Sequence, residues 1–315
     1  MADSSVLQDL DHALGSGYLI VREMPQAAGF HTYAARSKAD GSNVEIKTVS
    51  IEQIGKRVPV SDADLAARRI QHPNVVPILR AGSEGDTFFW MSPDVDARTL
   101  RARLSRGGRI ELRDSLTVLR DVSAGLTHAH LHGVVHGGLT PDSVLISGGS
   151  ALVADLGIAE VFTAIRRASS SRFTTQTSGE ALRYVAPEQA SGGKADTRSD
   201  AYSWGVIAYE LLAGRHPFAG RSTPQQIIAA HTDETPPPLT TLSPDLPAGI
   251  VRLINRCLSK DPSKRPETAR DIRDVMTKEM LQPEPAPAAG SGQKVVMAIM
   301  ILAVLAIGVI AWLGM

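Results

Sequence analysis

His132 to Ile146 reads HGVVHGGLTPDSVLI, and the fold of this chain turns on that stretch. It follows a segment of helical period in which Leu116, Leu119, Val122, Leu126 and Ala129 fall on one face. The loop is entered through THAHLHGVVH, which crowds His128, His130, His132 and His136 together. On a helix His128 and His132 share a face, enough for two zinc-type ligands. No third or fourth ligand stands at useful spacing, so a metal centre is not expected there.

Working outward, the first part of the chain is strand-like. YLIVREM (18–24), HTYAARSK (31–38) and NVEIKTV (43–49) alternate apolar and polar residues around a turn at Ala39-Asp40-Gly41. VVPILRAG (75–82) and DTFFWMS (86–92) continue the pattern after His72-Pro73-Asn74. From about Arg98 the period becomes helical. Trp204, Val206, Ile207, Leu211 and Leu212 mark a largely buried helix, and further helices are expected at 248–259 and 267–280. The expectation is an α+β protein, a small sheet-rich half followed by a larger helical half, with no internal repeat.

At 315 residues the chain can bury a sizeable core, and 43% hydrophobic with 21% charged residues fits a globular protein. Lys+Arg and Asp+Glu are equal at 33 each, so no global field draws nucleic acid, and none is expected as a partner. Cys257 is the only cysteine, which excludes an internal disulfide. MADSSVLQDLDHALGSG, residues 1–17, reads as a polar extension and not as a secretory signal. At the other end QPEPAPAAGSGQ (282–293) reads as an extended linker. Val295 to Leu313 then runs without a charge for roughly 28 Å of helix, the span of a bilayer core. Residues 294–315 are therefore expected to form a single C-terminal membrane anchor. Lys294 favours a cytoplasmic body, and only Gly314 and Met315 follow the run.

Several stretches together resemble the protein kinase superfamily, in the form of bacterial Ser/Thr kinases. VEIK (44–47) is similar to the strand whose Lys binds nucleotide phosphates. HGGLTPDSVLI resembles the catalytic loop, ADLG (154–157) the magnesium-binding motif, and VAPEQA (185–190) the motif closing the activation segment. SDAYSWGVIAYELLAGRHPF and CLSKDPSKRPETARDI resemble helices of the large lobe. The resemblance covers about Tyr18 to Met280 in the right order and implies a bilobal fold over 18–281. By it, Lys47 and Asp155 are the expected contacts to ATP and magnesium. Read without it, Lys47 is a strand lysine facing solvent and Asp155 a residue capping a turn.

The departures are concentrated where chemistry is done. Pro25, Ala27 and Phe30 stand where the phosphate-binding glycines would be, with Gly29 one position away. Pro25 lacks an N–H and Phe30 puts a ring near the phosphate path. No Glu stands ready for Lys47, because the matching position is Ala63, between Asp62 and Asp64. Gly138 takes the place of the general base, Thr140 of a phosphate-supporting Lys, and Ser143 of the second magnesium ligand. Gly137 takes the place of the Arg that answers activation-loop phosphorylation. Loss of a general base alone costs ~10²–10⁴ in rate, about 3–5 kcal/mol of barrier. Asp142 is close in sequence but would need a different backbone path to serve instead.

The residues that give the loop its shape, His136, Leu139 and Pro141, persist. Glu188 and Arg265 resemble the ion pair tying the activation segment to the large lobe, and Asp200 the brace of the loop backbone. Between Asp155 and Glu188, Arg166, Arg167 and SSSRFTTQTSG make a segment of the kind that kinases phosphorylate, but GEALRYVAPE lacks the usual Gly-Thr. The expectation is a membrane-anchored pseudokinase that works through protein partners in signalling, with ATP and magnesium binding weak or absent. An active atypical Ser/Thr kinase and a nucleotide-free membrane adaptor are the alternatives.

Overall fold

The computed structural model describes residues 4–27, 30–50, 70–107, 110–159, 161–162 and 179–281. The linker 282–293, the apolar run 295–313, Asp62, Ala63, Asp64 and the Ser/Thr-rich part of the activation segment lie outside them. Among the described residues no helix is long and apolar enough to cross a membrane. The chain divides into Met1–Thr277 and Lys278–Met315, and the site lies wholly in the first unit.

Helix α1 (Ser4–Leu14) precedes five antiparallel strands, β1 (Tyr18–Ala27), β2 (Phe30–Ser37), β3 (Asn43–Ser50), β4 (Arg80–Glu84) and β5 (Thr87–Pro93). They pair in the order β1-β2-β3-β5-β4. In β3 the pleat sends Val44 and Ile46 to one face, both buried, and Glu45 and Lys47 to the other. The Val44 face packs on α1 through Leu10 and Leu14, together with Tyr33, Ala35, Phe89 and Met91. The N-terminal extension, polar in composition, is thus an amphipathic helix that closes the back of the sheet. Asp9 fixes it further by accepting from the Thr87 hydroxyl at 2.8 Å, and Arg80 Nη2 caps it at the Ala13 carbonyl, 2.8 Å.

Two strand expectations change. VVPILRAG becomes strand only from Arg80, because Pro77 lacks a ladder N–H and Val75 instead bridges Val153 in the other half. β1 extends through Pro25 to Ala27, with its register against β2 shifting between Met24 and Ala27.

The helical half begins with a three-stranded sheet, β6 (Arg98–Thr99), β7 (Val144–Ser147) and β8 (Ser150–Val153). Around it stand α2 (Leu100–Ser105), α3 (Leu112–Leu131), α4 (Gly179–Leu182) and α5 (Pro187–Ala190). Next come α6 (Thr197–Ala213), α7 (Pro224–Asp233), α8 (Leu239–Leu242), α9 (Ala248–Cys257) and α10 (Ala269–Leu281). Leu116, Leu119, Val122, Leu126 and Ala129 are all buried on α3, as the period required. α6 is the axis of this lobe. Asp196 caps its N-terminus by accepting from the Arg198 and Ser199 N–H groups, and Gly214 ends it at φ 72°. Trp204 donates its indole N–H to the Leu119 carbonyl at 3.0 Å, pinning α6 to α3. At Gly205 the helix meets α9 so closely that a Cβ would lie 2.7 Å from Cys257 Cβ.

Candidate functional site

The loop after α3 is held from below by Asp200, near the start of α6 and 1% exposed. One carboxylate oxygen accepts from His136 N and His130 Nε2, each at 2.8 Å, and the other accepts from Gly137 N at 2.8 Å. Two consecutive backbone N–H groups are thereby aimed at one buried carboxylate, which sets the path of the loop. Gly137 sits at φ 67°, where an L side chain is strained, and its carbonyl accepts from Gln189 Nε2 at 2.8 Å. His136 is pushed below the ordinary histidine range by burial, which outweighs the nearby charges of Asp200 and Asp155. Its neutral ring accepts from Gly138 N at 3.4 Å.

The substituted positions have new structural work. Ser143 Oγ accepts from Thr140 N at 3.1 Å and donates to the Thr140 carbonyl at 3.0 Å, so its hydroxyl staples its own turn. Thr140 Oγ1 accepts from Asp142 N at 3.3 Å. Asp142 turns to Arg101 on α2, accepting from Nε at 3.3 Å. Arg101 also donates to Tyr184 OH at 3.1 Å, and Tyr184 donates to Glu210, whose carboxyl burial pushes upward. Asp142 is therefore anchored in a separate polar cluster. At Gly138, a Cβ would stand 3.3 Å from Ala159 Cβ, so the room in front of this position is bounded by the segment after Asp155.

Lys47 and Asp155 meet across the two lobes. Lys47 Nζ donates to both Asp155 oxygens, at 3.0 and 2.8 Å, and lies 3.4 Å from Glu45 Oε1. Burial pushes Lys47 down, but the charges of Asp155 and Glu45 overcome it and the net shift is upward. For Asp155 burial pushes up, and Lys47, with hydrogen bonds from Lys47 and Trp90, brings the net shift down. The pair is charged on both sides. Asp155 is the one non-glycine residue with positive φ among those described, at 60°, a conformation Asp tolerates and its fixed partners over-determine.

The third partner of Asp155 is Trp90. The β3–β5 register places Trp90 directly opposite Lys47, on the same face, and its indole N–H donates to Asp155 Oδ1 at 2.7 Å. Phe30 stands edge-on to the Trp90 ring, 5.0 Å between centroids. Phe162, from the segment after Asp155, lies 6.1 Å from both and 5.8 Å from Phe88.

Across the helical lobe Arg265 holds Glu188 with two parallel bonds of 2.9 Å, and Ser199 Oγ donates to the same carboxylate at 2.6 Å. Burial pushes Glu188 up, and the Arg265 and Ser199 hydrogen bonds outweigh it, so its net shift is down.

Tested as a site for magnesium, these residues do not fit in this arrangement. Asp155 is engaged by Lys47 and Trp90, Ser143 by its own loop, and Gly138 offers no carboxylate. Sequence reasoning brought forward Lys47, Asp155, Asp200, Glu188 and Arg265, but missed Glu45, Trp90, Phe162 and Arg101. Glu45 was within reach, since it shares a strand face with Lys47 two residues on. Trp90 and Phe162 carried no local signal.

Comparison with known proteins places this geometry. Residues 28–279 match the protein kinase domain. Serine/threonine-protein kinase PrkC of Bacillus subtilis is 32% identical over 216 residues, 67% of this chain and 32% of that protein. Serine/threonine-protein kinase PknA of Mycobacterium tuberculosis is 34% identical over 213 residues, 66% of this chain and 47% of that protein. The chain thus spans between about a third and a half of the length of these two relatives. The crystal structure of the PknI kinase domain of M. tuberculosis superposes with a TM-score of 0.65 at 22% identity, covering 84% of this chain and 96% of that one. The sheet lobe, the helical lobe and the paired motif residues belong together for one reason: this chain is a member of the protein kinase domain family, of the bacterial Ser/Thr type.

Proposed function

We propose that this chain is a pseudokinase, a signalling scaffold or regulator that engages protein partners through its kinase-like surface. The observation that carries the reading is the loop from Gly138 to Ser143. The base position has no side chain and the hydroxyl at the metal-ligand position is closed onto the Thr140 backbone. The apolar run at 295–313 supports attachment to a membrane, and Lys294 a body on the cytoplasmic side. Nucleotide binding at the cleft is weak or absent in this reading. An active atypical Ser/Thr kinase is the second reading, favoured by the retained Lys47–Asp155 pair. Incubation with radiolabelled ATP and magnesium separates the two. The pseudokinase transfers no more label than Asp155→Asn and Lys47→Met, whereas wild-type transfer lost in both variants establishes the enzyme.

A further inference from the structure

The cleft face of the sheet lobe carries Glu45 and Lys47 on β3, opposite Ser92 and Trp90 on β5. Four of the nine Phe and Trp residues of this aromatic-poor chain converge there: Phe30, Phe88, Trp90 and Phe162. They come from three separate segments, and Trp90 is central, with the other three rings 5.0 to 6.1 Å from its own. It is 1% exposed, so its ring is immobilised by packing and its N–H is aimed.

An indole N–H is a donor only and, once buried, needs an acceptor. Asp155 supplies it. A carboxylate offers about four lone-pair directions. Lys47 uses one on each oxygen and Trp90 a second on Oδ1, which leaves a single direction, on Oδ2 beside the Lys47 ammonium. A magnesium ion needs an oxygen with a free lone pair at about 2.0–2.1 Å and near-octahedral room around it. Oδ1 has a proton donor at 2.7 Å in that space, backed by an aromatic ring.

We propose that Trp90 is a positioning residue that denies Asp155 to divalent metal, so that this cleft does not take up a metal–nucleotide complex while the indole bond stands. The inference rests on the pseudokinase reading and names the residue behind the missing metal dependence. Removing the N–H while keeping a ring, as in Trp90→Phe, returns one lone pair of Oδ1 to solvent and opens the metal position.

The test uses the full chain in detergent, with melting followed under ATP alone, manganese alone, and both. Wild type gains no extra stabilisation from the combination. Trp90→Phe gains a rise of roughly 3 °C or more that neither component gives alone, as mass action on a newly formed site requires. The rise disappears in Trp90→Phe/Asp155→Asn. A well-folded Trp90→Phe with no such rise overturns the proposal, and so does a wild type that already shows it and loses it in Asp155→Asn. A second measurement needs no variant: indole N–H resonances of nitrogen-labelled wild type are followed as manganese and ATP are added. Broadening of the Trp90 signal beyond that of Trp204, whose indole is bonded to Leu119, overturns the proposal, and an unbroadened Trp90 signal supports it. Failure here is separate from failure of the pseudokinase reading, which falls only on label transfer by wild type.

Discussion

Arg265 and Glu188, 77 residues apart, meet as a planar fork on a carboxylate, with both bonds at 2.9 Å. The guanidinium side chain is 0% exposed and also donates to the carbonyls of Ser259, Arg198 and Lys260. One side chain thereby joins α5, the start of α6 and the loop after α9.

Arg265→Ala removes five donated bonds and leaves Glu188 without its cation. Breaking one side of a buried pair costs about 3–5 kcal/mol. Glu188→Gln keeps the carbonyl bonds and costs less, about 1–3 kcal/mol. Urea midpoints read both, and an Arg265→Ala midpoint equal to wild type would refute the bracing role.

Leu10 is 0% exposed between α1 and the back of the five-stranded sheet. Leu10→Ala should cost about 2–5 kcal/mol through lost burial and the cavity left behind. Leu19→Ala, at a residue 56% exposed, should stay within about 0.5 kcal/mol. If the two variants melt together, the N-terminal helix is not part of the core.

Gly138→Asp returns a carboxylate to the base position but should not return phosphotransfer. Its Cβ meets Ala159 Cβ at 3.3 Å, and neither Thr140 nor Ser143 is free to contact a phosphate or a metal. The expected label transfer is within twofold of wild type. A gain of a hundredfold, the lower range for a working general base, would show that the base alone was missing.

Acid should weaken the fold earlier than its carboxylates dictate. His216 is held neutral by two bonds, donating from Nε2 to the Arg183 carbonyl and accepting at Nδ1 from Phe218 N. Burial lowers it to about 3, and burial with the Lys260 charge lowers His231 to about 4. Both folded values lie below the unfolded 6.5, so the unfolded chain takes up protons first as pH falls. The stability these groups contribute is complete above that value and is lost below it, about 2 kcal/mol per histidine by about pH 5. Stability measured in urea between about pH 7.5 and 5 should fall, and His216→Asn should flatten the slope by close to one proton. An unchanged slope in that variant excludes His216 as a contributor.

Periodicity was enough for most of the fold. The α3 and α6 faces, the β3 pleat and the turn at Ala39-Asp40-Gly41 that joins β2 to β3 follow from local patterns that secondary structure repeats at fixed intervals. Where a pattern misled, one or two residues outweighed it: Pro77 halted the strand expected at Val75, and Leu10 and Leu14 made a helix of an extension that reads as polar. The family resemblance named Lys47, Asp155, Asp200, Glu188 and Arg265, and each has a partner in the structure.

The departures from the family pattern at Gly137, Gly138, Thr140 and Ser143 are facts of the sequence, complete without coordinates. What these positions do in the molecule is decided only by folding. Ser143 closing on Thr140, Arg101 drawing Asp142 aside, and Trp90 donating to Asp155 are angles and distances between side chains. The last two join residues 41 and 65 positions apart, which no local period encodes. A hydrogen bond requires two groups at fixed separation and direction, and here the β3–β5 register and the packing of one lobe on the other set both.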